Sequence, residues 1–399
     1  MRGFEALQPF RNPRFSLYFG GQVVSNTGTW FQNLALSLVI LELTGSAQAL
    51  SAVTVAQFAP LLILGIPAGR LADHIRPRTI LLVTSAASAL VGLALAVAVV
   101  STPVDLVLMY ALVFLLGCIN TFDRVAAQAI IFEIAGPETL TRSVSISTIA
   151  LAAARSVGPG LAGIAFSALG AGWCMVMNAG SYVLVFVAIA LIRPSRLHPR
   201  PRVDRTTGTA PVALLRNRAF VTILVVNSAI AMLALNLMLV ITSTVSLSFR
   251  GDATMVGAAH ALNALGAIVG GMLAATPASV PVRALRYGCA GLGLALLANA
   301  AAPNLTVFLV LAPLLGLGVG FYQGVLQASA QASVAPGQLG RAMSFVTLGS
   351  YGVAPLGAIL MGGVIDASSG QVALLVGGVT GLVCAAFVWW RAGGRSTAG

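Results

Sequence analysis

Long apolar segments, separated by short charged or turn-forming stretches, make up almost the whole chain. A helix of about 20 apolar residues crosses the roughly 30 Å hydrocarbon core of a bilayer, whereas membrane strands would show an alternating polarity that these segments lack. The pattern predicts an all-α integral membrane protein with twelve transmembrane helices, at residues 15–41, 49–69, 79–100, 104–123, 144–168, 171–192, 219–248, 254–275, 284–302, 305–329, 342–365 and 371–390.

The composition agrees with a location in lipid. Of the 399 residues, 58% are apolar and only 8% are charged, whereas soluble domains carry about 25% charged residues. So few charges cannot cover a water-facing surface, but a helix in lipid satisfies its backbone hydrogen bonds internally and needs no charges. The composition therefore excludes a soluble protein.

The arginines indicate the orientation of the predicted helices. All 22 basic residues are arginines, and 20 of them fall in segments that the helix placement puts on one side of the membrane. Cytoplasmic loops collect basic residues, so both termini are predicted to be cytoplasmic, in a cell membrane. The net charge of +12 then reflects orientation and contact with anionic lipids. A nucleic-acid partner is not expected, because the arginines are spread over seven loops and do not form one face.

The two halves of the sequence resemble each other at an offset of 199 residues. Ten identities fall in a 31-residue window without a gap, and they include pairs of Gly, Gln, Pro and Arg. We therefore expect an N-terminal six-helix bundle at 1–192, a cytoplasmic basic linker at 193–218 and a C-terminal six-helix bundle at 219–399. Such duplicated units form parallel repeats with a substrate site between them, near the middle of the membrane.

The loop after the second predicted helix carries a motif. Residues 69–78, Gly-Arg-Leu-Ala-Asp-His-Ile-Arg-Pro-Arg, resemble the G-x-x-x-D-x-x-G-R-[RK] loop of the major facilitator superfamily. The segments at 43–46, 122–129 and 154–163 are similar to its bacterial branch that includes enterobactin and multidrug exporters. The resemblance covers nearly the whole chain. It implies a secondary transporter that exports a small amphiphilic molecule, such as a drug, a siderophore or a similar metabolite, by alternating access.

Gating roles follow from this resemblance. In the superfamily an Asp at the position of Asp73 latches the two halves on the cytoplasmic side, and Arg124 is the expected partner here; alternatively, Asp73 only balances the arginines around it. A Gly-Pro motif stiffens the contact between the halves of exporters, although Gly and Pro are common in membrane helices generally. The gating candidates are Gly69, Asp73, Arg78, Arg124, Gly158, Pro159 and Gly163.

Polar residues recur on single faces of two predicted helices. In the first helix they follow spacings of four, three and four residues, which places them on one face. Such a stripe in lipid indicates either a water-filled cavity or hydrogen bonds between helices. Because the resemblance implies that helices 1, 4, 7 and 10 line a central cavity, the substrate-contact candidates are Gln22, Asn26, Asn33, Asn227, Gln323 and Gln327, with Thr29 on the first stripe.

Arg155 is the one charge deep in a predicted helix. Burial of an arginine at a helix centre costs about 3 kcal/mol on insertion scales, so its five donors need acceptors. Two roles are open. Arg155 either binds an anionic or phenolate-bearing substrate in the cavity, or it braces the helix by donating to carbonyls that Pro159 leaves unpaired.

Proton coupling is implied by the resemblance alone. No carboxylate lies in the middle of a predicted helix, and His260 is the one intramembrane group that titrates near neutral pH. The coupling candidates are Glu42, Asp123 and His260. An uptake permease or an uncoupled facilitator for a small organic solute is the alternative.

An integral membrane enzyme is a remote alternative. It would need clustered His, Asp, Glu or Cys at an interface, but the three histidines are dispersed and no nucleophile, metal or phosphate motif occurs. We therefore expect no cofactor and no metal. The expected partners are a small-molecule substrate, the lipid bilayer and protons, and the protein is expected to be a monomer.

Overall fold

The structure is a computed structural model that describes residues 8–198, 214, 216–275, 282–335 and 338–393. Within these ranges, the described side chains exclude those of residues 73, 137, 138, 141, 145, 148–153, 155, 156, 196, 340, 392 and 393. The described part is helical and contains no strand. It falls into two compact units: unit 1 comprises Met1–Val39 and Ala56–Asp204, and unit 2 comprises Ile40–Val55 and Arg205–Gly399.

Four helices make up most of unit 1: α1 (Pro13–Thr44), α2 (Ala47–His74), α3 (Pro77–Val100) and α4 (Leu106–Leu191). The long α4 is broken into three parts at Gly136 and Gly170, where φ is 71° and 81°. Glycine adopts such angles without the clash that a Cβ would cause. Two short 3₁₀ turns, Gln8–Arg11 and Pro194–Arg196, flank the helices of this unit.

The first part of α4 is longer than predicted. It continues to Gly136, whereas the predicted helix ends at residue 123. The prediction stopped at the charged pair Asp123 and Arg124, but charges do not interrupt a helix. Between Gly117 and Gly136 the chain contains neither Gly nor Pro, the two residues that do so most strongly. Asp123 and Arg124 are therefore helical residues.

Eight helices form unit 2 together with the hairpin Ile40–Val55: α5 (Arg218–Leu233), α6 (Leu237–Ser243), α7 (Ala253–Ala274), α8 (Leu285–Ala300), α9 (Leu305–Ala332), α10 (Leu339–Tyr351), α11 (Ala354–Ala367) and α12 (Gly370–Gly393). A π-helical turn, Thr244–Ser248, extends α6, and a 3₁₀ turn, Val282–Ala284, precedes α8. The predicted helices at 219–248 and 342–365 are thus each divided in two.

Within the described ranges, nine helices are long and apolar enough to cross a membrane. The predicted helix at 15–41 corresponds to α1, whose polar residues lower its mean hydropathy. The predicted helix at 284–302 corresponds to α8, which has only 16 residues. The nine candidates establish a multi-pass membrane protein by length and composition.

Glycines bring α7 and α9 into backbone contact. A Cβ at Gly266 or Gly270 of α7 would overlap backbone atoms of α9, and a Cβ at Gly316 or Gly320 of α9 would overlap backbone atoms of α7. Both helices carry the Gly-x-x-x-Gly spacing that allows membrane helices to approach closely. We call these four residues the glycine seam.

Gly117 has the same function in unit 1. A Cβ there would lie 2.7 Å from the carbonyl oxygen of Gln57 and 2.9 Å from that of Ala56, both in α2. Gly117 and Gly316 are equivalent at the offset of 199 residues. In each half, the fourth predicted helix therefore uses this glycine to contact the second predicted helix of the same half.

Candidate functional site

The motif loop is a two-residue connection. Ile75 and Arg76 join α2 to α3, and Arg76 adopts a φ of −63° and a ψ of 131°, which any residue can adopt. Pro77 occupies the first helical position, where its missing N–H costs no hydrogen bond. The glycine that the superfamily motif usually has at the position of Arg76 is therefore not needed here.

Arg78 binds the end of α4. Its Nε donates to the carbonyl oxygen of Ile192 at 2.9 Å, and its Nη2 donates to that of Ala190 at 3.0 Å. Carbonyls at a helix end lack intrahelical donors, and the negative end of the helix dipole attracts a cation. The motif arginine thus fastens α3 to the third part of α4 within unit 1.

The predicted latch falls partly outside the described residues. The side chain of Asp73 is among those not described, and Arg124 is exposed, so a contact between them stays a prediction. Gly69 has no heavy atom within 4 Å of a Cβ built on it, and packing therefore does not require a glycine there. Asp123 is half-buried and accepts a hydrogen bond of 2.8 Å from the Thr84 hydroxyl.

The polar stripe of α1 is half-buried along its length. Gln22, Asn26, Thr29 and Asn33 all have this intermediate exposure. The Asn33 Oδ1 accepts a long hydrogen bond of 3.4 Å from the Nε2 of Gln57 in α2. The stripe predicted from spacing is therefore present on one helix face, with a weak contact to α2 at one end.

A buried polar network on another side of α1 was not predicted from the sequence. Gln32 is buried, and its Oε1 accepts a 2.7 Å hydrogen bond from the Nδ2 of Asn178 in the third part of α4. The hydroxyl of Ser181 donates to the Asn178 Oδ1 at 3.2 Å, and Gly28 lies against both residues. The signal was the pair Asn178 and Ser181, spaced by three residues in an apolar run. The network fixes α1 against α4.

The Gly-Pro motif packs on a tryptophan of α1. A Cβ at Gly158 would lie 2.8 Å from Cβ, Cγ and Cδ1 of Trp30, so only glycine fits this contact. Pro159 and Gly163 are also buried. The side chain of Arg155 lies outside the described set, and both roles suggested for it stay predictions.

In unit 2, the two predicted polar helices differ. Gln323 and Gln327 are exposed on α9. Asn227 of α5 is fully buried, and its Nδ2 donates to the Val346 carbonyl at 2.8 Å while its Oδ1 accepts from the Ser350 hydroxyl at 3.0 Å. Contact between Asn227 and a substrate would require these bonds to α10 to break.

Two helix breaks meet in unit 2. The chain leaves helical geometry between α5 and α6, where the Nδ2 of Asn236 donates to the Met232 carbonyl at 2.8 Å. Gly357 of α11, just after the break at Gly352 and Val353, lies against Asn236, since a Cβ there would be 2.6 Å from its Nδ2. In transporters, irregular backbone in the membrane occurs where it is buried in protein or lines a cavity. No Gly or Pro predicted the first break.

The chain matches a known protein family along almost its whole length. A family model described as "Transmembrane secretion effector" matches residues 4–395. The chain belongs to this family of the major facilitator superfamily. The match confirms the resemblance found in the motif loop, and it identifies a multi-pass membrane transporter of a family that is not an enzyme class.

This secretion effector family member is similar to bacterial proteins that are named as efflux proteins or transporters. The chain is 22% identical to macrolide efflux protein A of Streptococcus pyogenes over 365 residues, covering 89% of the chain and 90% of the relative. It is 26% identical to the multidrug efflux pump Tap of Mycolicibacterium fortuitum over 381 residues, 90% of each chain. It is 23% identical to the staphyloferrin A transporter of Staphylococcus aureus, covering 86% of the chain and 87% of the relative.

Solved structures show the same fold. A bacterial homologue of the lysosomal transporter Spinster superposes with a TM-score of 0.72 at 16% identity, covering 96% of this chain and 97% of that one. A D-xylose–proton symporter superposes with a TM-score of 0.72 at 12% identity, covering 95% and 97%. At these identities the likeness concerns the fold alone.

The coupling candidates of this family member occupy different environments. His260 of α7 is buried, and its Nε2 lies 3.0 Å from the Thr242 hydroxyl of α6. Glu42 is exposed near the end of α1, and Asp123 is half-buried beside Thr84. The described residues contain no group of three or more His, Cys, Asp or Glu side chains that could hold a metal ion.

Proposed function

We propose that this secretion effector family member is a secondary active transporter that exports a small amphiphilic molecule, such as a drug or a siderophore, by alternating access and in exchange for protons. The observation that carries the proposal is the family match over residues 4–395, with efflux-named relatives aligned over nearly the full chain. We further propose twelve transmembrane helices in two six-helix bundles, both termini in the cytoplasm, and a monomer in the cell membrane.

The polar stripes of α1 and α9 support a route for a polar part of the substrate. Gln22 and Asn26 are half-buried, and Gln323 and Gln327 are exposed. Exposed amides facing only lipid would lose their hydrogen bonds to water, so these stripes favour an aqueous path. Amide groups can donate and accept hydrogen bonds, which suits an amphiphile with a mixed polar group.

Proton exchange is proposed through protonation of His260, Asp123 or Glu42 during the cycle. His260 lies 3.0 Å from the Thr242 hydroxyl in unit 2, and Asp123 accepts a hydrogen bond from the Thr84 hydroxyl in unit 1. A change of protonation would alter these hydrogen bonds, and it can shift a conformational equilibrium only if the two states bind the proton differently.

The α9 stripe provides the test of substrate contact. We expect the double variant Gln323→Leu, Gln327→Leu to slow export of the fluorescent cation ethidium from cells about thirtyfold, because each lost hydrogen bond is worth about 1 kcal/mol and each 1.36 kcal/mol changes a rate about tenfold. Dye retention is measured at matched protein levels.

Gln331→Leu is the matched control. Gln331 shares the face of Gln323 and Gln327 and is also exposed, but it lies in the last turn of α9, at the end of the proposed route. Its replacement should therefore change export by no more than about twofold, within the scatter of surface substitutions, about 0.5 kcal/mol. Equal ethidium export by the double variant and the parent would remove the α9 stripe from the proposed route.

A further inference from the structure

Asp366, in the last turn of α11, caps the start of α2. Its carboxylate accepts hydrogen bonds from the Ser46 hydroxyl at 2.5 Å and from the backbone N–H groups of Ala47 at 2.6 Å and Gln48 at 3.0 Å. The first N–H groups of a helix have no acceptor within the helix, and the positive end of its dipole attracts an anion. One carboxylate therefore satisfies three donors of a segment about 320 residues away in the sequence.

This cap is additional to a local one. The Ser46 hydroxyl oxygen already accepts a hydrogen bond from the Ala49 N–H at 3.1 Å, as an ordinary N-cap does. Two other aspartates, Asp105 and Asp252, cap the helices that directly follow them. The start of α2 therefore has its own cap, and Asp366 serves to tie α2 to α11.

A close glycine contact adds a second tie about one turn earlier in α11. A Cβ at Gly362 would lie 2.9 Å from the Ala47 carbonyl oxygen and 3.0 Å from the Ser51 Cβ, whereas a Cβ at Gly363 would meet only the Gln48 Oε1, at 3.4 Å. Ser51 is 1% exposed. We call the three Asp366 hydrogen bonds and the Gly362 contact the α2 clamp.

The segment held by the α2 clamp continues into helices of unit 1. The hairpin Ile40–Val55 packs as part of unit 2, whereas residues 13–39 of α1 and 56–74 of α2 belong to unit 1. A rearrangement that moves these helices relative to α11 must therefore either bend them or release the clamp.

A cavity lies beside the α2 clamp and could admit water when the clamp opens. A cavity of about 520 Å³ opens next to Asp366 and is lined mainly by polar groups of unit 2: Gly45, Ser46, Leu247, Ser248, Ile365, Asp366, Ser368, Ser369 and Gln371. Water in this cavity can replace the hydrogen bonds of the carboxylate and of the helix start once they separate. The clamp is thus positioned to open without leaving buried groups unpaired.

We propose that the α2 clamp is a gate that opens and re-forms during the transport cycle, on the side of the membrane where α2 begins. Its role in the cycle rests on the proposed function, whereas its opening can be measured without any substrate. On the proposed topology, this side faces outward.

Thiol labelling at position 51 measures the opening of the clamp. In protein whose four native cysteines are replaced by alanine, Ser51→Cys places a near-isosteric thiol under Gly362. We expect Asp366→Ala and Gly362→Ala each to raise its rate of reaction with a membrane-impermeant maleimide about tenfold in lipid nanodiscs, as loss of a charge-assisted hydrogen bond or of close packing predicts. Unchanged rates in both variants would overturn the proposal.

Matched controls separate gate opening from unfolding. Asp252→Ala removes a carboxylate that caps only its own helix, and Gly363→Ala adds a methyl group where the neighbouring atom is the end of a flexible side chain; both should leave the rate unchanged. A thiol at Ser88 of unit 1, which is 2% exposed, should stay slow in every variant. A variant in which the thiols at both 51 and 88 react fast is unfolded and is excluded from the comparison. If the remaining clamp variants do not show the tenfold faster labelling of the thiol at 51, the gate is contradicted.

A reversible cross-link tests the role in transport. Ser46→Cys with Asp366→Cys, oxidised by copper phenanthroline in air, should stop ethidium export in proteoliposomes, and reduction with dithiothreitol should restore it. Continued export with the disulfide complete would refute a gate that must open. Absence of ethidium export in both redox states counts against the proposed function, whereas the labelling result judges the clamp independently.

Discussion

Gly316→Ala should prevent unit 2 from packing stably. The added Cβ would overlap the Asn263 carbonyl oxygen and lie 2.8 Å from the Ala267 backbone nitrogen. Backbone atoms cannot rotate away as a side chain does, so α7 and α9 must separate along the glycine seam. We expect a loss of stability of about 3 kcal/mol, the upper part of the range for overpacked sites, seen as a lower midpoint in thermal aggregation and less monodisperse protein in detergent.

Gly271→Ala is the matched control for the glycine seam. Gly271 is in the same helix as Gly266 and Gly270, but nothing lies within 4 Å of a Cβ built on it. Alanine favours a helix over glycine by about 1 kcal/mol, so this variant should be as stable as the parent or slightly more so. If Gly316→Ala and Gly271→Ala aggregate at the same temperature, the close contact between α7 and α9 is not required for stability.

Asp73→Asn should reduce ethidium transport at least about tenfold while leaving the amount of folded protein unchanged, because a latch built on charge-assisted hydrogen bonds loses roughly half of their strength with the charge. Asp73 is in the last turn of α2, where the helix dipole disfavours a carboxylate. The proposed latch would offset this local cost by giving the carboxylate a cationic partner. Its replacement by the neutral amide should therefore affect the transport cycle more than stability.

Asp105→Asn is the control for this substitution. Asp105 caps α4 by accepting from the N–H groups of Val107 and Leu108, and asparagine caps a helix about as well as aspartate. Both transport and folding should stay at the level of the parent. Normal transport by Asp73→Asn would show that its charge only balances the neighbouring arginines.

Much of the fold could be predicted from the sequence because lipid imposes simple requirements. Apolar runs of about 20 residues, arginine-rich loops and the repeat at an offset of 199 residues are properties of the chain itself. Irregularities of the backbone, in contrast, depend on contacts between segments that are distant in the sequence. The break before Asn236 is stabilised by contact with Gly357, a residue about 120 positions later, and no local signal marks it.

Part of the candidate site could be predicted from the sequence, and part could not, because some of its features depend on contacts between helices. Helical spacing was sufficient to find the stripes of α1 and α9, because it depends on one helix at a time. The network of Gln32 and Asn178 and the cap formed by Asp366 depend on which helices are neighbours. No pattern in the sequence indicates the partners of Asp366, which became known only from the fold.

Proton-driven transport in proteoliposomes tests the central proposal most directly. Purified protein is reconstituted, a pH gradient is imposed, and the movement of ethidium and of a catecholate siderophore is followed with and without an ionophore that collapses the gradient. The proposal predicts uphill movement of at least one compound, opposite to the proton flow, that stops when the gradient is collapsed. Movement that only equalises the concentrations, at the same rate with or without the gradient, would contradict secondary active export and identify a facilitator.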